Sequence, residues 1–174
     1  IWYTFFIPSL LLLFIAILTF PKKLLHYFVR PICWMYCFFA GQWLRCINNP
    51  PKKDGGPYLY MFNHVSMFDQ FMIGAYVPHY ITAVAAIEVF KYPIFGFIIK
   101  KYGVVPIIRQ KIRKAIGSLN IAEEAIKNGI SFLISPEGTR TLNGEIGSFK
   151  KGPFHLAKNT NATIVPLALK GGFR

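Results

Sequence analysis

A histidine and an aspartate five residues apart, His64 and Asp69 in Asn63-His64-Val65-Ser66-Met67-Phe68-Asp69, form the pair in this sequence best suited to move a proton. Imidazole titrates nearest neutrality among the side chains and so serves as a general base. A carboxylate on its second ring nitrogen fixes the tautomer and steadies the imidazolium that forms. On a regular helix, five residues turn two side chains about 140° apart, so the pair can meet only where the chain breaks. Ser66, three residues before Asp69, supplies that break as a Ser-x-x-Asp capping pattern. His64 then lies just outside the first turn, where unpaired N–H groups and the helix dipole favour a neutral imidazole. The blander reading of the same residues is a capped helix beside a satisfied buried histidine.

A second cluster, Ser135-Pro136-Glu137-Gly138-Thr139-Arg140, brings different chemistry. Arg140 offers a planar fork suited to phosphate. Gly138 permits close backbone approach and Thr139 offers a hydroxyl. Glu137 can hold the arginine or a substrate hydroxyl. Arg109, directly after an apolar run, is a further cation of the same kind. Taken alone, Glu-Gly-Thr-Arg reads equally well as a turn with a surface ion pair.

Apolar runs at residues 57–62, 80–86, 104–108, 130–134 and 163–169 read as strands. Met67, Phe68, Phe71, Met72 and Ala75 recur at helical spacing. Residues 88–102 read as a helix interrupted by Pro93 and Gly96. Residues 111–128 read as a helix closed by Gly129, with Ile112, Ile116, Leu119 and Ile126 on one face. No regular element is assigned between Arg140 and Thr163. Alternating strands and helices predict an α/β domain with a largely parallel sheet flanked by helices. In such a sheet the loops beyond the strand C-termini form the binding edge. Both clusters come directly after predicted strands.

Ahead of this domain, residues 1–20 carry no charge and contain Pro8 as their one breaker. A helix of that length covers about 30 Å, the thickness of a hydrocarbon core. A secretory signal would need a basic start and a small-residue cleavage site. Trp2 and Tyr3 suit one membrane interface and Lys22 and Lys23 the other, which puts the downstream domain on the cytoplasmic side. Residues 31–44 form a second uncharged run, too short to span comfortably, and read as an interfacial or re-entrant helix beside the first. Asn-Asn-Pro-Pro-Lys-Lys-Asp-Gly-Gly at 48–56 is a turn-rich linker. The expected organisation is a membrane-anchoring helical segment at 1–47, the linker, and a catalytic domain at 57–174. A chain that opens on Ile1 and stops just after a strand-like run reads as a fragment.

The composition narrows the function classes. The 174 residues are 53% hydrophobic with a net charge of +13, which suits a membrane-associated protein with an anionic partner. Nucleic-acid binding would also use the charge, yet no recognition module is visible and the uncharged start argues against it. Cys33, Cys37 and Cys46 form no Cys-x-x-Cys pair, so no disulfide framework, zinc site or cysteine nucleophile is expected. Cys33 and Cys37 read as packing residues, with acylation as the alternative. His26, His79 and His155 lack metal-ligand spacing, so no metal and no bound cofactor are expected.

Taken together, the motifs resemble the glycerolipid acyltransferases. His64 and Asp69 match that family's H-x-x-x-x-D motif, within the fuller form N-H-x-S-x-x-D. Gly103-Val104-Val105-Pro106-Ile107-Ile108-Arg109 is similar to its second block. Ser135 to Arg140 is similar to its third, with Phe149-Lys150-Lys151-Gly152 after it. Ile164-Val165-Pro166 resembles its fourth. The blocks come in the family's order and cover nearly everything from Asn63 to Leu169, with 1-acylglycerol-3-phosphate acyltransferases as the nearest subgroup. Ile108 departs from the polar residue that many relatives carry before the arginine.

The resemblance implies the glycerolipid acyltransferase fold and an O-acyl transfer from a thioester to a lysophospholipid hydroxyl, with lysophosphatidic acid the first-choice acceptor. His64 and Asp69 are then catalytic, and Arg109, Glu137, Gly138, Thr139 and Arg140 bind the acceptor. Acyl-CoA or acyl-carrier protein is the co-substrate, and membrane lipids are the surroundings. Glycerol 3-phosphate or another lysolipid remains open as acceptor. A catalytically silent lipid-binding protein is the alternative of another class. Ser66 as a covalent nucleophile is a weaker rival, because no Gly-x-Ser-x-Gly elbow surrounds it.

Overall fold

The computed structural model describes residues 2–108 and 112–173. Two helices, α1 (Trp2–Thr19) and α2 (Lys22–Phe39), precede a five-stranded sheet. Its strands are β1 (Tyr58–Phe62), β2 (Ile81–Ala86), β3 (Val105–Ile107), β4 (Ser131–Ile134) and β5 (Thr163–Leu167). Their order is β3-β2-β4-β1-β5, and every pairing is parallel. In the central register Leu59 lies opposite Phe132 on one side and Ile164 on the other. The helices α3 (Asp69–Tyr76), α4 (Pro93–Tyr102), α5 (Ile112–Lys127) and α6 (Lys151–Thr160) make the crossovers that parallel strands require.

Alternation along the strands divides the core. Leu59 and Met61 of β1 join Phe132 and Ile134 of β4 on one face, where Ala122, Ile126, Leu156 and Ala157 of α5 and α6 cover them. Tyr58, Tyr60 and Phe62 point to the other face, against Ile73 and Val77 of α3 and its end. All five residues of β1 are buried, which is why its sequence is an unbroken apolar run. Phe132, fully buried at the sheet centre, tests the packing. Phe132→Ala is expected to lower the unfolding free energy by about 3–5 kcal/mol, read as a lower urea midpoint at unchanged slope.

The N-terminal helices form a hairpin that packs against α3 and α4 rather than standing apart. Leu13, Ile32, Tyr36 and Ile98 make its core, and Ser9 Oγ meets Tyr36 Oη at 2.5 Å within it. The second helix differs from the sequence expectation: it begins at Lys22 and runs through Pro31 to Phe39. Leu25, His26, Ile32, Cys33, Tyr36 and Cys37 fall on its buried face, and that burial outweighs the proline. Arg30 donates from Nε to Ala75 O at 3.0 Å. His26 Nε2 donates to Val77 O at 2.9 Å, locking α2 to the end of α3. Burial pushes the Cys33 thiol up to about 12 and that of Cys37 up to about 11, as suits packing residues. The outer face carries exposed Leu11, Leu12, Ile15, Leu18, Phe28, Trp34 and Phe38. Among the described residues no helix is long and apolar enough to cross a membrane.

Helix α6 has no counterpart in the sequence reading, and Gly152 and Pro153 stand at its start. Both fall in its first turn, where a proline loses no intrahelical bond. Leu156 and Ala157 then reach the core.

Candidate active site

Strands β1 and β4 are neighbours in a parallel sheet, so the segments that leave their C-terminal ends emerge side by side. This brings His64 and Glu137 together across 73 residues of chain: the His64 N–H donates to Glu137 Oε1 at 2.8 Å. The Thr141 N–H donates to His64 O at 2.9 Å. Asn63 reaches the other way, accepting from the Leu169 N–H at 2.7 Å and donating to Leu169 O at 2.9 Å. The exits of β4, β1 and β5 are thereby tied at the catalytic candidate.

His64 Nδ1 lies 2.6 Å from Asp69 Oδ2. The carboxylate also accepts from the Val65 N–H at 2.8 Å and from the Ser66 N–H at 3.0 Å. An acceptor so used requires the ring to donate from Nδ1, which leaves the Nε2 lone pair for another proton. Asp69 is fully buried while the His64 side chain keeps 17% exposure, so one ring edge stays reachable. The Phe62 ring lies edge-on to the imidazole at 5.5 Å.

The local reason differs in one respect from the sequence expectation. Helix α3 starts at Asp69, two residues later than a cap at Ser66 would put it. Ser66 instead closes a turn: its Oγ accepts from the Phe68 N–H at 3.2 Å, and Asp69 reaches back to its N–H. The capping chemistry is present, but it orders residues 65–68 before the helix begins. That turn folds the carboxylate back onto the ring.

The second cluster is placed less uniformly. Gly138 has φ +71°, in the left-handed region, so glycine is needed there for the turn. Thr139 and Arg140 are exposed on the same edge of the sheet as His64. Glu137 is 4% exposed, and no ion pair joins it to Arg140 among the described residues. Its second oxygen accepts from the Gly147 N–H at 2.8 Å. Both Glu137 oxygens are thus engaged with backbone N–H groups, and neither pairs with Arg140 among the described residues. Arg109 lies outside the described residues; β3, which precedes it, ends on the same edge, about 14 Å across the sheet from β1 at ordinary strand spacing.

Sequence reasoning gave no role to Asn63, Thr141 or Gly147. Asn63 adjoins the histidine and was visible as a neighbour. Nothing local marks Gly147, whose contact depends on how the loop after Arg140 returns. Among the described residues no three His, Cys, Asp or Glu side chains converge as a metal site.

Comparison with known proteins agrees with this arrangement. The acyltransferase family model matches residues 44–170. The 1-acyl-sn-glycerol-3-phosphate acyltransferase BAT2, chloroplastic, of Brassica napus is 30% identical over 154 residues, covering 86% of this chain and 44% of that protein. The 1-acyl-sn-glycerol-3-phosphate acyltransferase of Saccharomyces cerevisiae is 35% identical over 125 residues, covering 70% and 40%. The chain thus spans about half the length of the curated relatives it matches, or somewhat less. The fold is that of the crystal structure of the 1-acyl-sn-glycerophosphate (LPA) acyltransferase PlsC from Thermotoga maritima. The TM-score is 0.69 at 24% identity, with 93% of this chain and 66% of that one covered.

Proposed function

This chain belongs to the acyltransferase family, and on that premise we propose that it transfers a fatty acyl group from a thioester to the free hydroxyl of lysophosphatidic acid. The observation that carries the reading is the 2.6 Å contact between His64 Nδ1 and a buried Asp69, with no hydrogen-bond partner on Nε2 among the described residues. Nε2 takes the acceptor's hydroxyl proton as its oxygen attacks the thioester carbonyl. Asp69 stabilises the imidazolium through Nδ1–H. The tetrahedral adduct collapses with loss of the C–S bond, and the imidazolium returns the proton to the departing thiolate. No acyl-enzyme is needed, because the nucleophile belongs to the substrate. Arg140, with Arg109, grips the phosphate, and Gly138 and Thr139 shape the turn around it.

The apolar outer face of the α1–α2 hairpin supports a membrane-anchoring unit at 1–47 that presents the 57–174 unit to its lipid substrates. The exposed Lys22 and Lys23 favour the cytoplasmic side. Coenzyme A and carrier-protein thioesters both fit a chemistry that uses only the carbonyl.

The test is lipid product analysis with thiol release on a full-length protein, using lysophosphatidic acid, glycerol 3-phosphate and a phosphate-free monoacylglycerol as acceptors. Phosphatidic acid formation is expected. No acceptor-dependent release with either thioester class would remove the reading and leave a lipid binder. Arg140→Ala is expected to raise KM for lysophosphatidic acid about tenfold, the effect of one charge-assisted contact of about 1.5 kcal/mol. KM for the phosphate-free acceptor should not move.

A further inference from the structure

We infer that Glu137 is a positioning residue for the general base, acting through the His64 main chain and not through contact with the acceptor. The inference rests on the reading of His64 as that base. Glu137 Oε1 accepts from the His64 N–H and Oε2 from the Gly147 N–H, each at 2.8 Å, with the residue 4% exposed. The same block returns to His64 a second time, through the Thr141 N–H on its carbonyl at 2.9 Å. Both main-chain groups of the histidine are thus held by the segment that leaves β4, while Asp69 holds its ring. Three restraints converge on a residue whose Nε2 has to sit within a fraction of an ångström of a hydroxyl.

The geometry also explains why the residue is a glutamate. Two N–H donors approach the two ends of one side-chain head, so both terminal atoms must accept. A carboxylate does this, whereas a glutamine would turn its NH2 toward one of the donors. Gly147 belongs to the same device, since a Cβ there would lie 3.3 Å from Glu137 Oε2. Lys150, whose N–H donates to Pro136 O at 2.7 Å, closes the loop that starts at Glu137. The carboxylate is therefore a strut between the base and the far end of that loop.

The experiment compares full-length wild type with Glu137→Gln and Gly147→Ala, reading kcat and KM for lysophosphatidic acid. It also tracks the far-downfield proton resonance of the His64–Asp69 hydrogen bond. The strut predicts that Glu137→Gln lowers kcat about 10–100-fold with KM changed less than about twofold. The downfield proton should shift or broaden although His64 and Asp69 are untouched. Gly147→Ala should move kcat and the proton in the same direction by less, and it carries the test if Glu137→Gln fails to fold. A raised KM with kcat and the proton signal intact would mean that Glu137 touches the acceptor, and would overturn the inference. So would variants indistinguishable from wild type in all three readouts. If wild type transfers no acyl group, the functional reading fails separately, and the proton resonance alone still decides whether Glu137 orders the histidine.

Discussion

His64→Ala is expected to lower kcat for acyl transfer by about 10³-fold or more, within the range or just above that attributed to general-base catalysis. The variant removes the open ring nitrogen of His64, the Nε2 left free when Nδ1 donates to Asp69. The fold should survive, because the contacts that order residues 63–69 are made by backbone and by Asp69. The His64 N–H still reaches Glu137, and the Val65 and Ser66 N–H groups still reach the carboxylate. KM for lysophosphatidic acid should change little, since the phosphate is assigned to the arginines. Initial rates over a range of acceptor concentrations, with the urea midpoint measured alongside, separate these effects. Activity within tenfold of wild type at an unchanged KM would mean that another group takes the proton.

Asp69→Asn is the second large effect, and its physics is different. The substitution keeps shape and removes the acceptor that dictates which ring nitrogen carries the proton. An amide presents one oxygen and one NH2, yet three donors now share the carboxylate: the His64 ring, the Val65 N–H and the Ser66 N–H. Whichever way the amide turns, at least one donor faces NH2. The imidazole escapes that clash by moving its proton to Nε2, and the base then has no lone pair toward the substrate. The expected result is a fall in kcat of about 10²–10⁴-fold, by the logic of a triad whose carboxylate has been neutralised. A second consequence is structural: a buried N–H left without its acceptor costs about 1–3 kcal/mol, so this variant should also unfold at lower urea. The double variant His64→Ala/Asp69→Asn should be no slower than His64→Ala alone, because the aspartate acts only through the ring. An additive loss would show that Asp69 has a separate catalytic task.

The structure also shows which kinds of sequence signal carry through. Strands β1 and β4 were readable because burial on both faces leaves an unbroken apolar run, and both are buried at every position. Helix α5 was readable from its apolar periodicity: Leu119 and Ile126 reach the core, although Ile116, expected on the same face, is exposed. Helix α2 was misjudged because charge and proline mark boundaries only when nothing larger opposes them. Here six buried residues of one helix face did. Helix α6 is hard to see in sequence because a glycine and a proline, Gly152 and Pro153, stand at its start.

By itself the sequence determined what can be decided over a few residues. The His64–Asp69 contact is of this kind: five residues and one turn bring the two together, so spacing and residue type offered the pair, and the resemblance of the surrounding motifs set it above a capped helix beside a buried histidine. Tertiary structure alone decided the duty of Glu137 and the clamp from Asn63 to Leu169, contacts made across 73 and 106 residues. Periodicity says that a strand is buried but not which strand lies beside it. The order β3-β2-β4-β1-β5 is what sets the exit of β4 against that of β1 and turns a surface-looking glutamate into the buried support of the histidine.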